Sequence, residues 1–244
     1  TVFLMPITLP RKNDKVSSFK IFSGYPVVAS FSNRGLDLGF DCPDYKENRK
    51  EFLRLLDIDY DSLVCAKQVH GVNVVEVCKK DAGSVICDTD ALITKAEHLA
   101  LAVFTADCPS VFIYDPKNNA IGLAHAGWRG AKDKILQKTL ILMRKMFGTE
   151  PKDLFCAFGP AIRTCCYEIG PDVAAYFPEG VTIRNNKRYL DLALVNQNQL
   201  LGLGVKKIQI EDSAICTVCS NARYFSYRKE RDVAGRMMSV MMLK

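Results

Sequence analysis

The chain has 244 residues, 48% of them hydrophobic and 25% charged, and this composition excludes an intrinsically disordered or collagen-like protein. A chain of this length can build one substantial core, so we expect a single domain over residues 1–244. The formal net charge of +6 is modest and its basic residues are interspersed with acidic ones, so we expect no nucleic-acid partner, only a weak attraction for small anions such as phosphate.

The first half of the chain alternates between β-branched runs and one amphipathic helix, which indicates a mixed α and β architecture. The expected elements are a strand at Pro26–Ser32, a loop at Asn33–Cys42, a helix at Asp44–Asp57, and strands at Leu63–Val69, Val72–Val77, Ala91–Thr94 and Leu99–Thr105. Phe52, Leu55 and Leu56 are predicted to face the core from the helix. The run Leu99–Thr105 is almost entirely apolar, so we expect both of its faces to be buried.

The second half begins with a predicted hairpin, because Asp115–Asn119 has the composition of a turn. Its two strands are expected at Ser110–Tyr114 and Ala120–Ala126. Apolar residues then recur at helical spacing from Trp128 to Phe147, and Gly148 ends this helix. The remaining expected elements are strands at Leu154–Phe158, Lys207–Glu211 and Arg236–Leu243, with a helix at Asp191–Leu203.

The ten cysteines do not predict a disulfide scaffold, because the chain is long and apolar enough to fold without one. We expect no signal core in Thr1–Pro10, which Pro6 and Pro10 interrupt. No apolar run approaches the roughly 20 residues needed to cross a bilayer. We therefore expect a cytoplasmic protein with reduced thiols and no membrane partner.

The chain contains three histidines, and His70 and His125 both stand beside glycines in tight sequence contexts. Between them, a buried apolar strand ends at Asp107 and Cys108. Two imidazoles and a thiolate suit zinc, and three protein ligands leave one tetrahedral position open. The residues alone do not separate this metal site from a Cys–His hydrolase, in which Cys108 is the nucleophile and an imidazole its base.

Several segments, in the expected order, resemble the YfiH-like family, also called the laccase-domain or polyphenol oxidase family. They are KQVHGVNVV, DTDALIT, LAVFTADCPSVFIYD, IGLAHAGWRG, FGPAIRTCCYEIG, CTVC and YFSYRKERDVAGR. The resemblance implies a monomer with an α+β fold, a layered α/β/β/α sandwich with mixed sheets. It places the family's metal ligands on His70, Cys108 and His125.

Members of that family are described as polyphenol oxidases or as purine nucleoside phosphorylases and adenosine deaminases. A multicopper oxidase needs about ten imidazoles for its several copper sites, and this chain has three. The resemblance together with this count favours a zinc-dependent purine nucleoside enzyme that uses phosphate, with Cu2+ as an in vitro substitute. Laccase-like oxidation would then require copper in the single His–Cys–His site.

Further site residues are predicted from the chemistry of phosphorolysis. Asp107 is the candidate proton or hydrogen-bond donor to the purine, with an alternative role in orienting a histidine. Arg34, which matches an arginine of the family, and Arg129 at a helix start are candidate anion ligands. Gln68 shares a strand face with His70 and is a candidate ligand of the base or of bound water.

Two other functions remain open at this point. One keeps the site but hydrolyses a misincorporated L-serine from the peptidoglycan precursor UDP-MurNAc, as some bacterial relatives do. The other is a metal-binding partner protein without catalytic activity. The cysteines at 165, 166, 216 and 219 are expected to be reduced structural thiols, because two adjacent cysteines do not readily hold one ion.

Overall fold

A computed structural model describes residues 15–244, so the expectation about a signal core in residues 1–10 lies outside the described part. The strands, in chain order, are β1 (Val16–Ser18), β2 (Val27–Ser32), β3 (Leu63–Lys67), β4 (Val74–Glu76), β5 (Val85–Cys87), β6 (Ala91–Thr94), β7 (Ala100–Thr105), β8 (Ser110–Asp115), β9 (Ala120–His125), β10 (Phe155–Phe158), β11 (Glu168–Ile169), β12 (Val181–Arg184), β13 (Lys187–Leu190), β14 (Ile210–Asp212) and β15 (Met237–Leu243).

The α-helices are α1 (Tyr45–Arg54), α2 (Trp128–Lys132), α3 (Ile135–Phe147), α4 (Pro171–Ala174), α5 (Leu192–Gly202) and α6 (Tyr227–Glu230). Short 3-10 turns lie at Lys20–Phe22, Tyr60–Ser62, Lys79–Asp81, Pro151–Asp153, Pro178–Gly180, Lys207–Gln209 and Arg231–Val233. Within residues 15–244, none of the helices has the length and apolar character required to cross a membrane.

The strands form two six-stranded mixed sheets and one small sheet. The first sheet has the order β1-β2-β15-β7-β3-β5, and the second has the order β14-β10-β8-β9-β6-β4. The small sheet, β11-β13-β12, is antiparallel. The last strand of the chain, β15, lies inside the first sheet, antiparallel to both β2 and β7.

The two large sheets pack face to face over a common apolar core. Phe31, Val103 and Met241 from the first sheet meet Phe112 and Leu123 from the second. Because alternate residues of a strand point to opposite faces, each sheet has a second apolar face to cover.

Helices cover these outer faces. Phe52 and Leu53 of α1 pack on the first sheet, whereas Leu136 of α3 and Leu200 of α5 pack on the second. The result is the layered α/β/β/α sandwich, which confirms the predicted α+β fold class.

The predicted hairpin is confirmed, and it brings part of the site together. Strand β8 pairs antiparallel with β9 so that Ser110 lies opposite His125. Asp115 closes the turn, since its carboxylate accepts hydrogen bonds from the backbone amides of Lys117 and Asn118 at 3.0 and 3.1 Å. This register sets Cys108, two residues before Ser110, beside the end of β9.

The predicted helix from Trp128 to Phe147 is wrong as one element, because the chain breaks at Lys134. That residue adopts a left-handed conformation with φ 66°, which separates α2 from α3. The apolar spacing hides the break, because Ala131 before it and Ile135 after it are both buried. The predicted end at Gly148 is confirmed, with φ 74°.

Two further expectations need correction. Leu55 is 36% exposed, and Leu53 takes its place in the core because the helix turns a different face inward. The predicted strands on either side of His70 do form, but β3 belongs to the first sheet and β4 to the second. His70 therefore lies where the chain crosses between the sheets.

Candidate metal centre

Three donor side chains converge at one end of the sandwich. His70 follows β3, Cys108 lies in the connection from β7 to β8, and His125 is the last residue of β9. Their ligand atoms all lie within 4.8 Å of one another, and the two imidazole rings are nearly perpendicular, with centroids 4.8 Å apart. Residues from both sheets thus meet at a single point although they are far apart in the sequence.

Asp90 holds two of these donors in place. Its Oδ1 lies 2.8 Å from Nδ1 of His125, and its Oδ2 accepts hydrogen bonds from the backbone amides of Val69 and Gly71, on either side of His70. With a proton on Nδ1, the Nε2 of His125 is left to bind a metal, and the carboxylate fixes this tautomer. Asp90 is completely buried.

The environment of Cys108 favours the thiolate. Burial on its own raises the pKa of this thiol, but hydrogen bonds and charge from His125 and His70 outweigh it and lower the pKa to about 6. Burial on its own lowers the pKa of His125, whereas Asp90 and Cys108 together raise it to about 9. The sulfur is therefore in the form that binds a soft metal.

Gly127 gives the three donors room to approach one another. A Cβ atom at this position would lie 3.1 Å from Sγ of Cys108, 3.3 Å from His70 and 3.5 Å from His125. His70 itself has φ 59°, and Asp107 has φ 94°. Left-handed backbone at non-glycine residues is costly, and its occurrence at the ends of strands beside the donors is typical of a functional site.

The donor set fits a metal ion. Two imidazoles and one thiolate are ligands of zinc and of copper, and their mutual spacing requires only small shifts for nitrogen and sulfur distances of about 2.0 to 2.3 Å to a shared ion. The site is also open on one side. A cavity of about 660 Å³ reaches His70, Cys108 and His125.

The cavity brings together five of the seven residues predicted for the site. They are Gln68, His70, Asp107, Cys108 and His125. The other two, Arg34 and Arg129, are not among the residues that line it.

Asp107 does not act on either histidine in this arrangement. Its Oδ1 accepts a hydrogen bond from the hydroxyl of Thr217 at 2.5 Å, and its Oδ2 accepts one from the backbone amide of Arg228 at 2.6 Å. Both oxygens are thus engaged as acceptors by neighbouring groups rather than directed at a histidine. The carboxylate fixes the wall of the cavity that carries Arg228.

The side-chain amide of Gln68 is also engaged, in its case by hydrogen bonds to the backbone of a neighbouring strand. Its amide nitrogen donates to the carbonyl of Phe104 at 2.7 Å, and its amide oxygen accepts from the Phe104 amide at 2.8 Å. This reciprocal pair extends the β3–β7 contact beyond the ladder and holds the segment before His70 in position.

Arg34 is engaged elsewhere. Its guanidinium donates to Glu230 and to the carbonyl of Asn221, both at 2.7 Å, and it stacks over Phe225 at 5.0 Å. Arg129 is exposed on α2, and its guanidinium lies over the ring of Trp128 at 4.5 Å. Neither arginine reaches the three donors directly.

Three residues of the site, two of which line the cavity, were not predicted from the sequence. Tyr167 lines the cavity, and burial raises its pKa to about 12, with the neighbouring Cys108 adding to the shift. Arg228 lines the same wall, and Asp90 lies behind the histidines. All three lie in segments that carry the family resemblance, DTDALIT, FGPAIRTCCYEIG and YFSYRKERDVAGR, but the resemblance assigned no role to these particular residues.

The Cys–His hydrolase alternative retains some structural support, because Cys108, His125 and Asp90 stand in the order of nucleophile, base and orienting acid. A hydrolase of that type has no use for a second imidazole on the sulfur. His70 supplies one, which favours a metal.

Similarity to known proteins agrees with this geometry. A family model described as multi-copper polyphenol oxidoreductase laccase matches residues 25–244. "Purine nucleoside phosphorylase YlmD" of Geobacillus stearothermophilus is 34% identical over 223 residues, covering 85% of this chain and 81% of the relative. "Adenosine deaminase RL5", from an unknown prokaryotic organism, is 27% identical and covers 82% of each chain.

The solved structures lead to the same family. The crystal structure of YlmD from Geobacillus stearothermophilus superimposes with a TM-score of 0.87 at 29% identity, covering 93% of this chain and 94% of that one. The family match, the fold and the sequence similarity together establish that this chain belongs to the YfiH-like, multi-copper polyphenol oxidoreductase laccase family.

Proposed function

We propose that this chain is a zinc-dependent purine nucleoside enzyme, which cleaves adenosine, inosine or methylthioadenosine with phosphate and deaminates adenosine with water. One observation carries the proposal: a His–Cys–His donor set opens into a cavity whose walls combine cations and aromatic rings. The relatives named as purine nucleoside phosphorylase and adenosine deaminase support this substrate class.

His70, Cys108 and His125 would hold a zinc ion, which would supply a Lewis acid at this end of the cavity. The chain's own contribution begins with Asp90, which keeps the His125 ring in its metal-binding tautomer. Gly127 leaves the space that the three side chains need.

Cationic side chains in the cavity are suited to hold phosphate. Lys67, Arg228, Arg231 and Arg236 line it together with two acidic residues, Asp41 and Asp107, and both oxygens of Asp107 are engaged in hydrogen bonds. In phosphorolysis, a phosphate oxygen forms a bond to the anomeric carbon of ribose while the bond to the base breaks. Fixed positive charge near the phosphate stabilises the negative charge of the nucleophile and orients it toward that carbon.

The purine would lie against the aromatic side of the cavity. Phe40 and Phe104 supply apolar surface, and the hydroxyl of Tyr167 remains protonated at neutral pH because its pKa is raised to about 12. Negative charge moves into the base as its bond to ribose breaks. A hydrogen bond donated by Tyr167 stabilises that charge, the role that sequence reasoning assigned to Asp107.

Incubating the zinc-loaded protein with adenosine tests the proposal directly. We expect adenine and ribose 1-phosphate when phosphate is present, and inosine from the deaminase reaction. The Cys108→Ala variant should lose both activities, whereas Cys87→Ser, which removes an exposed thiol on β5, should retain them. If the protein turns over no purine nucleoside but cleaves a seryl UDP-MurNAc precursor, the amidase function is supported instead.

The native metal needs a separate test. Three histidines in the whole chain cannot supply several copper sites, but copper binds most nitrogen and sulfur sites more tightly than zinc does. We expect zinc in protein produced without added copper, as measured by elemental analysis. Copper in that preparation, with phenol oxidation and without nucleoside turnover, would contradict the assignment.

A further inference from the structure

A second cluster of metal-binding side chains lies apart from the His–Cys–His set. The sulfur atoms of Cys165, Cys166, Cys216 and Cys219 all lie within 4.8 Å of one another. Two segments distant in the sequence supply them: the loop after β10 and the loop after β14. The expectation of reduced structural thiols did not anticipate this convergence.

The distances between the sulfurs are those of ligands that share an ion. Sγ of Cys219 lies 3.5 Å from Sγ of Cys165 and 3.4 Å from Sγ of Cys166. Four sulfurs placed tetrahedrally at about 2.3 Å from zinc are about 3.8 Å apart, whereas a disulfide bond is about 2.0 Å long. The adjacent Cys165 and Cys166 both approach Cys219, so adjacency does not prevent their convergence.

The backbone around Cys216 is arranged to receive negative charge on its sulfur. The backbone amides of Cys219, Arg163 and Val218 all lie within hydrogen-bonding reach of this sulfur. Two of these amides, from Val218 and Cys219, lie two and three residues after Cys216, so the Cys-x-x-Cys segment folds around its first sulfur.

Positive charge also surrounds the cluster. The guanidinium of Arg184 donates to the carbonyls of Thr164 and Cys165, and that of Arg228 donates to the carbonyl of Cys166 at 3.4 Å. A divalent ion with four thiolates carries a net charge of −2. The two arginines lie where they offset that charge.

We propose that Cys165, Cys166, Cys216 and Cys219 form a second metal site, a tetrathiolate site for zinc that is independent of the His–Cys–His centre. Tetrahedral sites with four sulfurs and no open position are structural. This one ties the loop that carries Tyr167 to the loop that carries Thr217. Because Thr217 binds Asp107, the site stabilises the wall of the cavity.

Counting zinc per chain tests this second site without any activity assay. We expect two zinc ions in the wild-type protein purified under reducing conditions, and two in the matched control Cys87→Ser. Cys219→Ser and Cys108→Ala should each retain one zinc ion, because each variant loses the ion of a different centre. Two zinc ions in Cys219→Ser with an intact circular dichroism spectrum would overturn the proposal.

Cobalt provides a readout that does not depend on how well Cys219→Ser folds. In Cys108→Ala the remaining site has four thiolates, so Co2+ should give an intense thiolate-to-metal charge-transfer absorption. Absence of that absorption, or a disulfide among the four cysteines in protein kept reduced throughout, would contradict the tetrathiolate site. If the wild-type protein holds only one zinc ion, and Cys108→Ala keeps it whereas Cys219→Ser loses it, the tetrathiolate site is supported. The same result would show that the His–Cys–His centre holds no metal.

Discussion

Asp90 shows how one buried side chain can organise a site made of distant segments. It binds the ring of His125 with one oxygen and the backbone around His70 with the other. The fourth group in this arrangement, Cys108, has its charge fixed by the two histidines. A change at Asp90 therefore affects all three of the candidate metal donors although Asp90 is not one of them.

The variant Asp90→Asn should weaken metal binding. An amide cannot accept hydrogen bonds with both of its heavy atoms, so either His125 or the backbone around His70 loses its partner. Loss of such an orienting carboxylate lowers metal affinity by about 10- to 100-fold. Competition with a chromophoric chelator measures the affinity, and Asp88→Asn, two residues away and exposed, is the control. Equal affinities in the two variants would show that Asp90 does not orient the centre.

The variant Tyr167→Phe should lower kcat for phosphorolysis, because it removes the hydroxyl that we propose as the donor to the purine while leaving the aromatic ring in the cavity. Loss of one such donor reduces kcat by about 10² to 10³-fold in a well-studied protease. The KM for phosphate should not change, since phosphate is bound by the cationic residues. Steady-state kinetics with adenosine separate the two constants, and an unchanged kcat would remove Tyr167 from the reaction.

At the level of secondary structure, strongly periodic segments could be predicted from sequence and breaks in the backbone could not. The hairpin at Ser110–Ala126 was identifiable because its turn has side chains that bind their own backbone. The break at Lys134 carries no such signal, because lysine is a good helix former and both sides keep the apolar spacing. The small sheet β11-β13-β12 was missed because its strands are short and largely exposed.

The prediction of the site was limited in a similar way, by what local sequence patterns can show. His70, Cys108 and His125 were identified because histidine is rare in this chain, and the family resemblance assigned them a shared role. The roles of Arg34 and Gln68 depend on which partners they meet in three dimensions. Glu230 and Phe104 lie 196 and 36 residues away from them, respectively, a separation that local patterns cannot bridge.

The break between α2 and α3 can be tested with Lys134→Gly. In a continuous helix, glycine would lower the free energy of unfolding by about 1 kcal/mol. At a left-handed position it relieves a strain of about 1 to 2 kcal/mol, which offsets the greater freedom of the unfolded chain. We therefore expect unchanged or slightly increased stability in urea unfolding. Lys138→Gly, at an exposed position inside α3, is the control and should lose about 1 kcal/mol.

At the level of the whole molecule, strands from the two ends of the described chain pair with each other in one sheet. Strand β15 lies between β2 and β7, so the first sheet is complete only when residues near 30 and near 240 are paired. The second sheet then packs on the first through a shared apolar core. Neither sheet can bury its inner face without the other, which is the physical basis for expecting one domain.

The expectation of one domain predicts a single unfolding transition. Because bound metal complicates two-state behaviour, the protein is first made metal-free and kept reduced. Far-ultraviolet circular dichroism reports on all of the strands, and fluorescence of Trp128, the one tryptophan of the chain, reports on the region around α2. Since the sheets depend on a common core, we expect both signals to change at the same urea concentration. A separate earlier transition in fluorescence would instead mean that α2 and the small sheet packed beside it unfold as an independent unit.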